Sequence, residues 1–243
     1  MPLAEPQPLL PCSDRAISSR GSPPPVPGAT GRPDAGEFQQ AERKKIRIIE
    51  AIDERVGAMN TTAPIKRTNG NQLAGKAYLI TGGSTGIGFA TAELLVRDGS
   101  RVFLTGRNRQ SLDAAQQQLG VNAIALQADS SDPEAPRELV RAIRAHVERL
   151  DGAFINAGGA VLASFEATTP QMFADMSNTN VRGAYFTVQA LLPLLGEGST
   201  IVFNSSIASR LGQPGTSAYS ASKAALTSLG RTLAVDLAPR GIR

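Results

Sequence analysis

The sequence predicts an α/β protein, a doubly wound parallel sheet with helices on both faces. Three observations lead there. From Lys76 onward, short apolar runs alternate with helically patterned ones, as happens when parallel strands are joined by crossover helices. A glycine cluster, Gly82-Gly83-Ser84-Thr85-Gly86-Ile87-Gly88, separates the first apolar run from the first helical one. The chain has 243 residues, 41% of them hydrophobic, which is enough to bury one such core.

Residues 1–58 precede this alternation. Nine of the 16 prolines lie in residues 1–36, and a stretch so rich in proline and so poor in apolar periodicity is predicted to be disordered. Within the remainder, residues 37–58 put Ile48, Ile49, Ile52 and Val56 at helical spacing. This is read as a helix, stable or transient in a disordered tail. Pro6, Pro8 and Pro11 interrupt the leading apolar run and no basic residues precede it, so it makes a poor signal peptide. Arg15, Arg20 and Arg32 are too few for a transit helix. Met59 is expected to be a natural start and to open a linker over 59–75, with the folded domain at 76–243. No apolar stretch approaches the roughly 18 residues of a membrane span, and a cytoplasmic location is expected.

The elements follow in order. Ala77–Thr81 is the first strand and FATAELLVRDG the helix after the glycine turn. Arg101–Thr105 is the second strand, ending at Gly106-Arg107. Asn122–Gln127 is the third, ending at Ala128-Asp129-Ser130. Residues 133–150 carry Leu139, Ile143 and Val147 on one helical face and place His146 on the surface. Leu150–Asn156 is the fourth strand, followed by Ala157-Gly158-Gly159, and Thr200–Asn204 is the fifth, followed by Ser205-Ser206. Tyr219-Ser-Ala-Ser-Lys223 then opens a last helical run ending near Pro239.

Composition excludes several chemistries. A net charge of +4 without a dense Lys/Arg block argues against a nucleic-acid binder. Cys12 and His146 are the sole residues of their types, so a disulfide framework, a CxxC pair and a His/Cys zinc site are all excluded. A Mg or Ca site made of oxygens stays open. A serine hydrolase is a poor reading, because its triad would need the surface His146. An enzyme of this composition needs an acid/base group other than histidine.

Two features supply a chemistry. Glycines between a strand and a helix let the backbone approach a pyrophosphate and aim the helix N-terminus at its charge. At the end of the second strand an acidic residue would bind an adenosine ribose. Gly106 stands there instead, followed by Arg107, whose guanidinium suits a 2′-phosphate, so NADP is favoured over NAD. The neutral Thr85 in the glycine loop tempers that preference. Downstream, Tyr219 and Lys223 are four residues apart and share a helix face. An ammonium beside a phenol stabilises its ionised form, so Tyr219 could move a proton without any histidine.

The spacing Thr81-Gly82-x-x-x-Gly86-x-Gly88, with Asn156-Ala157-Gly158, Ser206 and Tyr219-x-x-x-Lys223, resembles the short-chain dehydrogenase/reductase family. The resemblance implies a Rossmann-type fold and covers Lys76 to Arg243. It implies that Gly82, Gly86 and Gly88 line a nicotinamide cofactor, with the Ile87 backbone near its phosphates. Asp129 would meet the adenine amino group, and Ser130 would offer a nearby amide. Asn156 would brace the sheet, and Gly158 would leave room for a ribose. In catalysis Ser206 would hold the substrate oxygen, Tyr219 would be the acid/base and Lys223 would also bind the ribose hydroxyls. Asn180, in preference to Asn178, would hold a water relaying protons to Lys223. The implied reaction is hydride transfer with a small-molecule carbonyl or alcohol.

Family members continue past the equivalent of Arg243 with further strands and a substrate loop, so an incomplete domain with its final strands missing is expected. Its fifth strand would be an apolar edge and its activity weak. A non-catalytic nucleotide-binding or scaffold fragment is the alternative. Helices over 170–195 and 218–238 would carry a homo-oligomer contact.

Overall fold

In the computed structural model, residues 73–243 are described. The expectations for residues 1–58, and for the linker up to residue 72, lie outside them. Five strands form one parallel sheet: β1 (Ala77–Ile80), β2 (Arg101–Gly106), β3 (Ala123–Gln127), β4 (Gly152–Ile155) and β5 (Thr200–Phe203), in spatial order β3-β2-β1-β4-β5. The chain winds outward from β1 to β3, returns to pair β4 with the other side of β1, and winds outward again. The order therefore reverses between β1 and β4, where an open α/β sheet leaves a crevice at its carboxyl edge.

Between strands run α1 (Gly86–Arg97), α2 (Arg109–Leu119), α3 (Ala135–Arg144), α4 (Pro170–Met176) and α5 (Gly183–Leu191), with α6 (Ser217–Asp236) after β5. Alternation along the strands sorts side chains into two cores. On one face Leu79, Phe103, Ala153 and Ile155 pack with Leu139 and Ile143 of α3, Val188 and Leu191 of α5 and Leu226 of α6. On the other, Ile80, Val102 and Leu104 pack with Ala92 of α1 and with Leu112 and Ala115 of α2. Both faces are covered, as predicted, because these strands are apolar at successive positions instead of at alternate ones.

Caps set several boundaries. The Asn108 side chain accepts from the Ser111 amide (2.9 Å) to start α2. Thr169 accepts from the Met172 amide (3.2 Å) to start α4, where Pro170 occupies the first turn. Between α4 and α5 the residues Ser177–Arg182 form a π-helical turn, and Leu192–Leu194 a 3-10 turn after α5, so the helix expected over 170–195 is four pieces. The first helix begins at Gly86, ahead of the expected Phe89, because the Phe89 amide bonds to the Thr85 carbonyl (3.2 Å).

The helix expected over 133–150 ends at Arg144, where the Ala145 and His146 amides bond back three residues, to Ala142 and Ile143, and tighten the last turn. His146 thus lies beyond the helix, exposed, with its ring 5.9 Å from that of Phe103. The fourth strand begins at Gly152 and not at Leu150, whose amide bonds to Leu194. β5 is the outermost strand on its side, with Val202 half exposed. Alongside its start, the Arg243 amide donates to Ser199 (3.0 Å) and its carbonyl accepts from Ile201 (2.7 Å). Among the described residues no helix is long and apolar enough to cross a membrane.

Ile143 is fully buried under the sheet, so Ile143→Ala should cost about 2–5 kcal/mol in urea unfolding, and a loss well under 1 kcal/mol would contradict its core position. Asp151 anchors the start of β1, accepting from Lys76 Nζ and the Ala77 amide, both at 2.9 Å. Burial pushes its carboxyl up, but these bonds and the charges of Lys76 and Arg149 outweigh that and hold it below the usual carboxylate range. A depressed carboxyl contributes stability above its unfolded value of about 4, and that stability is lost as pH falls through the folded value. Asp151→Asn should therefore lower stability near neutrality and flatten its fall in acid, as read by unfolding curves across pH; an acid limb as steep as wild type would refute the assignment.

Candidate functional site

Thr81 closes β1, and its buried hydroxyl oxygen accepts from the amides of Asn156 and Ala157, both at 2.9 Å. Asn156 answers with its side chain: Nδ2 donates to the Thr81 carbonyl (3.1 Å) and the Gly82 carbonyl (3.0 Å). The two loops at the reversal of strand order are thus tied together. Gly88 shows how closely they pack: a Cβ there would run into the Gly82 carbonyl and lie 2.7 Å from Asn156 Nδ2. A side chain at position 88 is excluded, which is the physical reason for glycine at that spacing.

The crevice opens into a cleft of about 1110 Å³. Of the residues singled out in the sequence, Gly82, Ile87, Arg107, Asp129, Ser130, Asn156, Gly158, Tyr219 and Lys223 line it. Gly86, Gly88, Asn180 and Ser206 do not. Gly88 is buried behind the turn and Gly86 is exposed. Ser206 caps a short helical turn at Ile207–Ser209, its hydroxyl accepting from the Ala208 amide (3.2 Å).

The glycine turn suits an anion. Thr85 places no side-chain cap on α1, and the first turn of α1 holds no acidic residue, so its leading amides and its positive dipole end are available. At the far end of the cleft Arg107 is exposed beside Asp129. Burial raises the Asp129 carboxyl, but bonds from the Ser131 amide (2.9 Å) and hydroxyl (2.8 Å), with the charge of Arg107, bring it below its ordinary value. It is an anion near neutrality.

The other end is built by β5, α6 and the π-helical turn. Lys223 is 5% exposed, and burial alone pushes its ammonium down from the ordinary lysine value. Its Nζ donates to the Asn204 carbonyl (2.8 Å) and lies 5.8 Å from the centre of the Tyr219 ring, one turn earlier on α6. Asn180 is 1% exposed. Its Oδ1 accepts from the Gly159 amide (2.9 Å), while Nδ2 donates to the Gly159 carbonyl (3.0 Å) and to Ser222 Oγ (2.9 Å). A Cβ on Gly158 would lie 3.0 Å from Asn180 Oδ1 and 3.4 Å from Lys223 Nζ, so both polar groups converge on the bare face of that glycine. Asn178, two residues away, lines the cleft instead.

Sequence reasoning passed over Asn204, which lines the cleft and touches both Lys223 and Asn156, and Ser222, which orients Asn180. It also passed over Ser84, Asn108 and Ser111, which line the cleft near Arg107. The positions after β1, β2 and β5 were signal enough to nominate them as strand-end residues, though not to say which would face the cleft.

The chain is similar to known proteins in sequence and in fold. The family model for short chain dehydrogenases matches residues 76–243. The oxidoreductase asL5 of Sarocladium schorii is 37% identical over 174 residues, which is 71% of this chain and 70% of that protein. A short chain dehydrogenase from Burkholderia cenocepacia J2315, solved in complex with NADP, is 41% identical with a TM-score of 0.68, covering 71% of this chain and 72% of its own. The Pseudomonas aeruginosa RhlG/NADP active-site complex is 32% identical with a TM-score of 0.66, covering 70% of each chain. The parallel sheet, the glycine turn at its reversal point and these matches establish that the chain belongs to the short-chain dehydrogenase family of oxidoreductases.

Proposed function

We propose that the chain carries out reversible hydride transfer between NADP(H) and a small-molecule carbonyl/alcohol pair, with Tyr219 as the proton donor and acceptor. The observation that carries this reading is the single cleft that Tyr219 and Lys223 share with the glycine turn and with Gly158. When bound, the nicotinamide supplies or accepts the hydride. The residues present fit it: Gly82, the exposed Ile87 and the uncapped start of α1 form a cradle for a pyrophosphate. Asp129 and Ser130 line the cleft where they could meet an adenine, and the bare face of Gly158 supports a ribose beside it.

Tyr219 then protonates the carbonyl oxygen on reduction, or takes the alcohol proton on oxidation. Lys223 holds ribose hydroxyls and passes the proton inward; the expected parts of Asn180, holding a water that replenishes it, and of Ser206, steadying the substrate oxygen, require each to reach a cleft whose lining includes neither. The exposed guanidinium of Arg107, with Gly106 where an acid would repel a 2′-phosphate, supports NADP over NAD. The NADP complexes of the similar structures support the same choice. Exposed Phe173, Tyr185, Phe186 and Val235 on α4, α5 and α6 support a homo-oligomer through residues 170–195 and 218–238.

A second reading, a nucleotide binder that does not turn over, is favoured by Ser206, which stands outside the cleft lining with its hydroxyl engaged as a cap. NADPH titration followed by turnover on a panel of ketones and aldehydes separates the two: binding without turnover selects the second.

Tyr219→Phe should leave NADPH affinity nearly intact and cut turnover by at least about a hundredfold, the range of a lost general acid; retained turnover would refute Tyr219. Arg107→Ala removes the phosphate partner and leaves the Asp129 anion alone at that end. The ratio of NADPH to NADH affinity should fall about tenfold or more, the worth of a charge-assisted bond. An unchanged ratio discards the role of Arg107.

A further inference from the structure

Asn204 stands between the two halves of the cleft. Its amide donates to the Ile155 carbonyl (3.0 Å), which fixes the end of β5 against β4. Its side-chain Nδ2 donates to Asn156 Oδ1 (2.8 Å), and its main-chain carbonyl accepts from Lys223 Nζ (2.8 Å). Asn156 Nδ2 in turn donates to the Thr81 and Gly82 carbonyls. An unbroken run of hydrogen bonds therefore joins the glycine turn to the buried ammonium through Asn156 and Asn204.

The chemistry of the two amides fixes its direction. Two carbonyl oxygens on the turn require Asn156 to present its NH₂ group to them, which leaves its oxygen facing Asn204. That oxygen requires a donor, and Asn204 supplies one at the length of a short side chain. Aliphatic residues have no donor to offer here, and an aspartate would set oxygen against oxygen. Among the described residues the Asn204 carbonyl is the hydrogen-bond acceptor of Lys223 Nζ, so a shift at the end of β5 moves the ammonium.

We propose that Asn204 is a positioning residue that couples the phosphate-binding turn to Lys223, so that seating the nucleotide on the turn also sets the ammonium beside Tyr219. Its consequence for turnover rests on the hydride-transfer reading above, whereas the tether itself does not. Asn204→Leu keeps the bulk and removes the donor; Asn204→Ser shortens the side chain and serves if the leucine variant folds poorly.

The test has two arms. Amide hydrogen exchange of the nucleotide-free chain should quicken at Gly82–Gly88 by about threefold to tenfold, the worth of one hydrogen bond. In steady-state kinetics, NADPH affinity and kcat should each fall by a similar factor while KM for the carbonyl substrate stays unchanged. Both losses should vanish when Asn204→Leu is added to Asn156→Ala, because the two residues act as one path. Unchanged exchange at the turn overturns the tether whether or not the wild-type chain binds nucleotide. Losses that simply add to those of Asn156→Ala overturn it as well. Quickened exchange in a chain whose wild type does not bind NADPH sustains the tether and refutes the cofactor reading instead.

Discussion

The site depends on the hydrogen bonds that lock the end of β1 to the end of β4. Thr81 accepts two amides from the β4 side, and Asn156 returns two donors to the β1 side. Four bonds between two neighbouring strand ends fix the place where the sheet reverses its order. Three parts of the cleft wall are held at that junction. The glycine turn leaves from Thr81, the Gly158 loop leaves from Asn156, and β5 is tied in through the Asn204 amide. Because each group satisfies another, loss of one leaves a half-buried polar partner unpaired, which costs more than the bond itself contributed.

The Lys223 end of the cleft is assembled from segments distant in sequence, and small residues set their spacing. Gly158 lets Asn180 and Lys223 approach over its bare face. Ser205 Oγ bonds to the Lys223 carbonyl (3.1 Å) and pairs with Thr227 Oγ1 (2.6 Å), which pins α6 to the end of β5. Ser222 turns the other way and orients Asn180. The π-helical turn at Ser177–Arg182 widens the helix where Asn180 enters, and Arg182 from the same turn donates to the Ser131 carbonyl (2.7 Å). One turn of one element thereby touches both ends of the cleft. π-helical turns recur at functional sites because they re-aim a side chain without ending the helix.

Much of this was legible in the sequence because it is local. The strand–turn–helix alternation and the shared face of Tyr219 and Lys223 depend on residues within a few positions of one another. What stayed hidden depends on register. Asn204 meets Asn156 across 48 residues, a meeting that fails if β5 slips by one residue against β4, and Asn180 meets Ser222 across 42, between the π-helical turn and α6. The end of α3 was misplaced for a related reason. Apolar spacing continues to Val147, but the backbone tightens after Arg144 and carries His146 off the helix. Ser206 was expected in the cleft from its place at a strand end, yet its hydroxyl is engaged in capping the turn that follows.

Lys223 shows how burial and partner choice work together. An ammonium taken out of water is ordinarily matched with a carboxylate, since an unpaired buried charge is costly. Among the described residues no carboxylate forms an ion pair with Lys223; the Asn204 carbonyl dipole takes that place. A full negative charge would hold the proton firmly and offset the effect of burial. A carbonyl keeps the ammonium oriented while desolvation leaves its hold on the proton weaker than in water. That weakened hold suits the relay role proposed for Lys223, because a group that passes protons must not bind them too tightly. The nearest part of the cleft wall follows the same rule. Asn204 and Gly158 line it without charge, whereas the carboxylates and guanidinium that line the cleft, Asp175, Asp129 and Arg107, come from other elements. The groups that meet the Lys223 ammonium, the Asn204 carbonyl and the bare face of Gly158, therefore carry no charge of their own.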